Sequence, residues 1–515
     1  MKTHGVLIIG LDGATFDLLD PWLQEGKLPY LSELKKKGCH GKLRTVPNLH
    51  SAAAWTSIVT GQNPGKHGLF SFYERDHDFN FKFCTGKDRK VDALWTILSR
   101  EGKKVGIINV PMTFPAETVN GVMISGLDAP SIKDKRSIYP VSLKDNYQIL
   151  QNDYDIVPSI TVLQKADIKK AVDKWIDIAS ARASLCQMLL RDYDFDFFMV
   201  TFTITDWAHH HLWKYFDLSY PSYNQEIALQ YSHLIFNIYQ KVDDIVGMLM
   251  NTAGPQTNVI ILSDHGAGPH QQASYYLVDW MREKKYLHLK QKKFFRKCKD
   301  VLITKSVAFL KNVLPGKLKS KLKGYFPGIR NIAKEDIRIN IFNLIDWSKT
   351  KAYTEHKWHN IWINLQGREK HGIVKPGKEY DDLLDEIKQH LLEWKDAKTG
   401  KHVVDKVFKK SEIYWGDYAD RAPDLQIWWE NDVVLHENKE FFSKTKIKIR
   451  KDWSGDHRLD GVFIAKGPSF KEGISLNNLS VYDITPTILH LLGHSIPQEI
   501  DGKIIKRALR EDLLT

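Results

Sequence analysis

Three apolar runs along the chain each end at an aspartate. The runs are VLIIG, FFMVTFTIT and VIILS, and the aspartates that follow them are Asp12, Asp206 and Asp264. None of the runs has the period of an amphipathic helix, so each is predicted to be a buried strand of a parallel sheet. Ligands gather at the carboxyl ends of strands in open α/β sheets. We therefore expect the three carboxylates to lie at one edge of the sheet.

Segments with helical spacing alternate with these and other strands. Helices are predicted for residues 165–191 and for PYLSELKKKG, AAAWTSIVTG, ALWTILSREG, NQEIALQYSHLIFNIYQKVDDIVGMLM, EYDDLLDEIKQHLLEWKD and SVYDITPTILHLLG. Further strands are predicted for GKLRTV, VGIINV, GVMISGL, KAYTEHKWHNIWINLQGRE, APDLQIWW and VFIA. Such alternation is typical of an α/β fold with a mostly parallel central sheet.

Composition places the chain among ordinary soluble proteins. It has 515 residues, of which 43% are hydrophobic and 26% charged. No segment approaches the roughly 20 continuous apolar residues of a spanning helix. The N-terminus has too short an apolar run for a signal peptide. The four cysteines lack CxxC spacing, which argues against a disulfide scaffold and against a cysteine-based zinc site. A cytoplasmic location is the expectation.

The net charge of +12 belongs to one segment. Residues 282–330 contain 16 lysines and arginines against two acids, so the rest of the chain is close to neutral. Apolar residues are interspersed with the lysines at roughly helical spacing. We predict that residues 282–335 form a basic helical insertion, a cap or an arm, in a core made of residues 1–281 and 336–515. The insertion could contact an anionic membrane or nucleic acid, and a solvated helical hairpin is the alternative.

Ser51 stands at the start of a predicted helix, just after the return strand GKLRTV. Its hydroxyl would lie near unpaired backbone N–H groups, which favour a bound anion. Two interpretations are open: Ser51 is a nucleophile, or it only caps the helix.

Two of the three aspartates are close to a histidine. His265 follows Asp264 directly, and His210 comes four residues after Asp206, on the same face if a helix begins there. One aspartate after a strand is usually a turn residue. Three of them with two histidines indicate a metal site with oxygen and nitrogen ligands.

A two-metal site for phosphoryl transfer needs about three protein ligands per metal. Asp12, Asp264 and His265 could hold one metal beside Ser51. Asp206, His210 and His457 could hold the other. Such ligands favour zinc, with manganese or iron as alternatives. A metal-bound Ser51 would attack phosphorus and form a phosphoserine, which water then hydrolyses.

Other histidines have weaker claims. Helical geometry favours His210 as the partner of Asp206, so its neighbours His209 and His211 are expected to point elsewhere. His67, in NPGKHG, could contact phosphate or only order its loop. His270 and His359 are expected at the surface or behind the ligands.

These segments together resemble the alkaline phosphatase superfamily, in particular the type I phosphodiesterase/nucleotide pyrophosphatase branch and its microbial phosphodiesterase-like relatives. The motifs that carry the resemblance are GLDG, SAAAWTSIVTGQNPGKHG, TDWAHHH, LSDHGAG, GDHRLDGVFIAKGP and VYDITPTILHLLG. The resemblance implies an alkaline-phosphatase-like αβα sandwich with two metals, held by the ligands given above, and Ser51 as the nucleophile.

The chain departs from the family pattern at three points. The nucleotide pyrophosphatases usually carry a threonine nucleophile in a TFPN-like motif; here Thr45 of TVPN is out of register, and it is kept as a second candidate. The asparagine that helps to bind phosphate in those enzymes falls near Ser71, which is a candidate substrate-binding residue together with His67. SAAAW has neither the proline nor the arginine of a sulfatase motif, which disfavours a sulfatase.

The sequence thus predicts a metal-dependent phosphoric-ester hydrolase that acts on a small phosphate ester, with phosphodiesters preferred. One alternative is a phosphomonoesterase or a phosphoglycerate-mutase-like phosphotransferase with the same centre. An alternative of another class is a membrane- or nucleic-acid-binding protein with a degenerate metal site. The oligomeric state is not predicted.

Overall fold

The computed structural model of the chain describes residues 5–157, 168–220, 223–270, 273–290, 342–355, 359–396, 399–430 and 453–513. The strands are β1 (Val6–Leu11), β2 (Cys39–Arg44), β3 (Tyr73–Arg75), β4 (Phe81–Phe83), β5 (Val105–Ile108), β6 (Gly121–Ile124), β7 (Ile138–Tyr139), β8 (Phe197–Phe202), β9 (Asn258–Leu262), β10 (Gly266–Pro269), β11 (Ala352–Tyr353), β12 (Asn360–Ile363), β13 (Val404–Lys409), β14 (Leu425–Trp429), β15 (Gly455–Arg458), β16 (Asp460–Lys466) and β17 (Ile474–Ser480).

The α-helices of the described residues are α1 (Phe16–Gln24), α2 (Pro29–Lys37), α3 (Ser51–Thr60), α4 (Pro64–His67), α5 (Leu94–Arg100), α6 (Leu143–Asn146), α7 (Ile149–Asn152), α8 (Ile168–Asp192), α9 (Ile204–Phe216), α10 (Gln225–Tyr231), α11 (His233–Ala253), α12 (Ala273–Glu283), α13 (Lys378–Leu392), α14 (Lys410–Ile413) and α15 (Ile484–Leu491). Short 3₁₀ turns cover residues 86–88, 135–137, 419–421, 481–483, 506–508 and 511–513.

A nine-stranded sheet forms the centre of the molecule, in the order β17-β2-β16-β9-β1-β8-β5-β6-β7. The five strands from β9 to β6 run parallel to one another, whereas β16 and β7 are antiparallel to their neighbours in this group. The predicted α/β fold with a mostly parallel sheet is confirmed.

Each face of the sheet is covered by helices. Leu7, Ile9 and Leu11 of β1 pack into one core with α1, α2, α8, α9 and α11. Val6 and Ile8 pack into a second core with α3, α5 and α15. Because β1 is buried on both sides, its sequence lacks a polar alternation. The result is a three-layer αβα sandwich.

A smaller lobe, which the sequence did not predict, has its own core. Four antiparallel strands in the order β11-β12-β14-β13 pack with α12 and α13 around buried side chains from Leu277 to Trp429. Arg75 of β3 joins the two lobes: its guanidinium makes two 2.8 Å hydrogen bonds to the Glu369 carboxylate and lies 4.2 Å from the Trp362 ring centre.

Most of the predicted basic insertion lies outside the described residues, which resume at residue 342. Within its described start, Leu287 is buried in the core of the small lobe and Leu289 pairs with Ile345. The insertion's extent and helical character stay predictions. Among the described helices, none has the length and apolar character required to cross a membrane.

Candidate metal centre and nucleophile

The carboxylates meet where the sheet places three strands side by side. Strand β1 lies between β8 and β9, so the segments after these strands are neighbours at one edge. Asp12 directly follows β1, and Asp264 comes two residues after β9. Asp206 differs from the prediction: β8 ends at Phe202, and Asp206 lies in the first turn of α9. The strand-end interpretation placed it at the right edge but on the wrong element.

Asp12, Asp264 and His265 form a first donor group. The His265 Nε2 atom lies 3.6 Å from Asp12 Oδ1 and 3.4 Å from Asp264 Oδ2. All three side chains are almost fully buried. The second oxygen of each carboxylate accepts a hydrogen bond: Trp55 Nε1 donates to Asp12 Oδ2 at 3.2 Å, and the Gly13 N–H donates to Asp264 Oδ1 at 3.2 Å. These bonds fix the orientation of the two carboxylates.

Asp206, His210 and His457 form a second donor group. Asp206 Oδ1 lies 3.2 Å from His210 Nε2 and 3.5 Å from His457 Nε2, and the two imidazole nitrogens are 3.3 Å apart. His457 was predicted in a loop before the strand VFIA. The structure instead places it in β15, which pairs with β10 so that His457 lies opposite Ala267. The pairing of β15 with β10 places His457 next to the segment that follows His265. The rings of His265 and His457 stack with their centres 3.6 Å apart.

The three imidazoles present the same nitrogen to the cluster. Each Nδ1–H donates to a backbone carbonyl: His210 to Gly455 at 2.8 Å, His265 to Gly266 at 2.9 Å, and His457 to Leu49 at 2.7 Å. Such bonds fix the tautomer and leave the Nε2 lone pair free to bind a cation.

The two carboxylates of the first donor group each have one oxygen that receives no hydrogen bond from the described residues. Asp12 Oδ1 and Asp264 Oδ2 are buried, and neither has a hydrogen-bond partner among the described residues. Burial and the neighbouring carboxylates raise the pKa of Asp12, and burial above all raises the pKa of Asp264 to about 7. Burial has the same tendency at Asp206, but His210 and His457 outweigh it and lower the pKa of that carboxyl. Buried anionic oxygens without partners are costly, and metal ions would relieve that cost.

Ser51 is the first residue of α3 and faces the first donor group. Its Oγ lies 3.1 Å from His265 Nε2. The capping position belongs to His50, whose Nδ1 accepts from the Ala52 N–H at 3.3 Å. Ser51 is therefore not the residue that caps this helix. Its hydroxyl is free for another role.

Thr45, the second nucleophile candidate, is placed differently. It follows β2, and its N–H donates to the Leu459 carbonyl at 2.9 Å. Its hydroxyl is buried, and no hydrogen bond from it to either donor group is found among the described residues.

His67 and Ser71 do not join the donor groups. His67 is fully buried; its Nδ1 accepts from the Leu69 N–H at 3.2 Å and its Nε2 lies 2.9 Å from Ser57 Oγ. With both nitrogens engaged, its geometry favours the loop-ordering interpretation over phosphate contact. Ser71 Oγ lies 3.3 Å from His50 Nε2, so it neighbours the residue before Ser51.

His270 and His359 lie behind the second donor group, which is one of the two positions that the sequence analysis left open for them. The Nε2 atoms of His270 and His359 lie 3.7 and 3.9 Å from Asp456 Oδ2, and Asp456 directly precedes His457. Burial would raise the pKa of Asp456, but the two imidazoles outweigh it and lower that pKa. His359 comes from the small lobe, so this cluster joins the lobes behind the second donor group.

Two clefts are each lined in part by the segment that leads into Ser51. The first, of about 520 Å³, is lined by residues that include Leu49, His457, Arg44, Lys406 and Trp428. The second, of about 470 Å³, is lined by residues that include Asn48, His50, Ser71, Arg75 and Trp362. The backbone turns between them at Leu49, whose φ of 54° is unusual for a residue with a side chain.

Comparison with known families decides the class of protein. The family model for type I phosphodiesterase/nucleotide pyrophosphatase matches residues 6–451. The chain belongs to this family. It is therefore a phosphoester hydrolase of the phosphodiesterase/pyrophosphatase type, as the sequence predicted. No curated protein sequence matches the chain.

Solved structures of low sequence identity share the fold. Human ectonucleotide pyrophosphatase/phosphodiesterase 5 matches with a TM-score of 0.52 and 14% identity, over 98% of this chain and all of its own. An inactive murine counterpart in complex with AMP has a TM-score of 0.51 and 13% identity over 98% of this chain and all of its own. Phosphonoacetate hydrolase from Sinorhizobium meliloti 1021, in complex with phosphonoacetate, has a TM-score of 0.53 and 13% identity over 95% of this chain and 96% of its own. The predicted alkaline-phosphatase-like fold is confirmed.

Proposed function

We propose that this phosphoester hydrolase uses Ser51 as its nucleophile and two divalent metal ions held by the two donor groups. The observation that carries the proposal is the convergence of the first donor group on the serine. Ser51 Oγ and the unpartnered oxygens of Asp12 and Asp264 all surround the Nε2 atom of His265.

The donor atoms fit divalent metals. Each group offers carboxylate oxygens and imidazole nitrogens, a set that suits zinc, with manganese or iron as alternatives. When bound, such ions lower the pKa of a coordinated hydroxyl and stabilise charge on phosphate oxygens. Bound metal ions would also offset the repulsion between the buried carboxylates of Asp12 and Asp264, each of which has one oxygen without a partner among the described residues.

The chain's own residues supply position and charge balance. Trp55 and Gly13 hold the carboxylates of Asp12 and Asp264 by one oxygen each, and the other oxygen of each lies near His265 Nε2. The Ser51 oxygen forms a bond to phosphorus while the bond to the leaving oxygen breaks, and the serine's proton is transferred to that oxygen, which departs as an alcohol. The product is a phosphoserine that, for a diester, still carries the second organic group. Water then attacks the same phosphorus; its hydroxyl stays on the phosphate and its other proton returns to the Ser51 oxygen. The N–H groups of the first turn of α3 favour the anionic phosphate.

The two clefts favour a diester over a monoester. A phosphodiester carries two organic groups, and two separate clefts are lined by the segment that precedes Ser51. A monoester has one organic group and would leave one cleft unused. AMP and phosphonoacetate, the ligands of the two structural neighbours, both carry a phosphorus-centred anion, which supports a substrate of this chemistry.

The test compares bis-p-nitrophenyl phosphate with p-nitrophenyl phosphate. Metal-stripped enzyme is restored with Zn²⁺ or Mn²⁺, and kcat/KM is measured for the wild type, Ser51→Ala and Thr45→Ala. We expect faster turnover of the diester, a dependence on added metal, and a loss of at least about a thousandfold in Ser51→Ala, as for other nucleophile removals. Thr45→Ala should retain most of the activity.

Three results would contradict parts of this proposal. If Thr45→Ala loses activity and Ser51→Ala keeps it, the nucleophile is the threonine. If the monoester is preferred, the enzyme is a phosphomonoesterase or a mutase-like phosphotransferase. If the wild type with both metals bound turns over neither compound nor a panel of natural diesters, the hydrolase assignment of this site fails.

A further inference from the structure

Three consecutive histidines on α9 have three different surroundings. His210 belongs to the second donor group, and its Nε2 lies 3.2 Å from Asp206. The ring of His211 lies against Trp175 and Trp453, with ring centres 5.7 and 5.8 Å away. His209 is 1% exposed, and its Nε2 lies 2.8 Å from the Tyr239 hydroxyl of α11. The expectation that His209 points away from the site is wrong for one of its two ring nitrogens.

The Nδ1 atom of His209 faces the candidate centre. A methyl group placed on Gly13 would lie 3.3 Å from His209 Nδ1, 3.3 Å from Asp206 Oδ1 and 3.3 Å from the Cε1 atom of His265. These three atoms therefore surround a single gap, which exists because residue 13 has no side chain. His209 Nδ1 is buried and has no hydrogen-bond partner within the part of the chain that the structure describes.

The tautomer of His209 follows from its bond to Tyr239. Among the described residues, His209 Nε2 is the one hydrogen-bond acceptor found for the Tyr239 hydroxyl, so the tyrosine's proton is directed at this nitrogen. A nitrogen that accepts from a hydroxyl is unprotonated in the neutral ring, and the proton must then be on Nδ1. The N–H of Nδ1 therefore borders the gap beside Asp206.

We propose that His209, oriented by Tyr239, is a positioning residue that donates a hydrogen bond from Nδ1 to the Asp206 carboxylate when the second donor group closes on its metal. Asp206 Oδ1 is shared between His210 and His457, and the carboxylate must keep one orientation while it binds a cation. Residues that donate hydrogen bonds to metal ligands fix the orientation of those ligands, and their loss typically costs about 10–100-fold in metal affinity or activity. This inference rests on the proposed function, since it takes Asp206 as a metal ligand.

The experiment measures binding of Zn²⁺ to metal-stripped protein by calorimetry. His209→Leu removes the donor, whereas His209→Asn keeps an amide N–H near the position of Nδ1. Tyr239→Phe removes only the hydroxyl that fixes the tautomer. His211→Leu is the matched control on the neighbouring residue. Urea unfolding of each metal-free variant measures any purely structural effect.

We expect His209→Leu to weaken one of two zinc sites by about 10–100-fold. His209→Asn should restore most of the affinity, and Tyr239→Phe should weaken the same site. Adding His209→Leu to Tyr239→Phe should cost no more than His209→Leu alone, because both changes interrupt one chain of hydrogen bonds. His211→Leu should bind zinc as the wild type does.

Wild-type affinity at both sites in Tyr239→Phe or in folded His209→Leu would overturn the inference. So would an Asn variant as weak as the Leu variant, since that would indicate lost packing. If His209→Leu does not fold, Tyr239→Phe decides the question alone. A wild-type protein that binds no metal would refute the proposed function itself, a result distinct from the others.

Discussion

The side chain of His67 makes the stability of the fold sensitive to acid. Burial, together with the nearby Arg89, lowers the pKa of His67 to about 3, while the unfolded value is near 6.5. Between pH 6.5 and 3 the unfolded chain binds more protons at this position than the folded one. The stability that His67 contributes is therefore present above pH 6.5 and falls as the pH decreases, by up to about 1.4 kcal/mol per pH unit.

The first prediction concerns His67→Gln. At pH 7 the variant should be less stable, by about 1–3 kcal/mol, because the Leu69 N–H and the Ser57 hydroxyl lose their buried partner. The difference in unfolding free energy between the variant and the wild type should shrink at pH 5. The wild type loses stability as the pH falls below 6.5, whereas glutamine does not titrate and the variant is spared this loss. Urea unfolding of metal-free protein at both pH values measures this. A deficit that stays constant or grows at pH 5 would show that His67 is not held neutral.

The second prediction concerns Asp264→Asn. The variant should lose metal at the first donor group, and activity should fall with it, because an amide is a poor ligand for zinc. The Asn oxygen can still accept from Gly13, and a buried charge is removed, so the metal-free protein at pH 8 should unfold no more easily than the wild type.

Asp128→Asn is the matched control. Asp128 is also a buried carboxylate, but it accepts four backbone N–H groups, from Gly86 and residues 112–114. We expect this variant to lose stability and keep its metal content. Metal analysis after dialysis, together with urea unfolding, separates the two effects. Unchanged metal content and turnover in Asp264→Asn would remove Asp264 from the site.

At the scale of single residues, the sequence predicted the strand-end residues best. Asp12 and Asp264 follow apolar runs, and the sheet itself fixes their position. His209 was missed because the exact start of α9, and hence the direction of each of its side chains, cannot be derived from residue spacing. His67 was ambiguous because the partners of a buried histidine come from the turn that it stabilises.

At the scale of elements, Arg75 determines how the small lobe is attached to the sandwich. Arg75 and Glu369 are both buried and make a bidentate pair. Removing one partner of a buried pair leaves the other charge uncompensated, which typically costs about 3–5 kcal/mol. Since Arg368 also lies 3.0 Å from Glu369, the lower end of this range applies.

The third prediction is that Arg75→Gln destabilises the protein by about 3 kcal/mol and exposes β12 to hydrogen exchange. The double variant Arg75→Gln/Glu369→Gln should be more stable than the single one, because it has no Glu369 carboxylate that lacks Arg75, while Arg368 keeps its pair with Asp424 at 2.6 Å. Arg136→Gln, which breaks an exposed pair with Asp134, is the control and should change little. A double variant less stable than the single one would argue against the buried-charge explanation.

The elements themselves were predicted with uneven success. Long helices such as α8 and α11 and the buried strands were found, because their apolar pattern runs over many residues. The small lobe was not recognised as a unit. Its strand β11 has only two residues, and β12 and β14 pair across more than 60 positions of sequence. Such pairings depend on tertiary contacts that no local pattern contains.

At the scale of the whole molecule, the strong positive charge is concentrated between residues 282 and 330. We propose that this segment contacts anionic membrane. Each lysine or arginine near such a surface contributes about 1 kcal/mol. The described ends of the segment are adjacent, since the Lys290 N–H donates to the Leu344 carbonyl at 2.8 Å. A short linker can therefore join residue 290 to residue 342 in place of residues 291–341.

The fourth prediction is that this replacement abolishes sedimentation with phosphatidylserine vesicles and leaves turnover of bis-p-nitrophenyl phosphate in solution within about threefold. Full-length protein should sediment with these vesicles at 50 mM salt, release at 500 mM, and ignore neutral phosphatidylcholine vesicles. Equal sedimentation of both proteins would show that the segment is not the contact. Preferential, salt-sensitive binding of duplex DNA would favour nucleic acid as the partner.

The order of the donor residues along the chain has a consequence for biosynthesis. Asp12 and Ser51 emerge from the ribosome early, whereas β15, which carries His457, is made when nearly nine-tenths of the chain is complete. Until then the nascent chain has the three carboxylates and only part of its imidazoles. The two ions that we propose could therefore be bound together only near the end of translation or after release. Metal acquisition would then mark a finished chain.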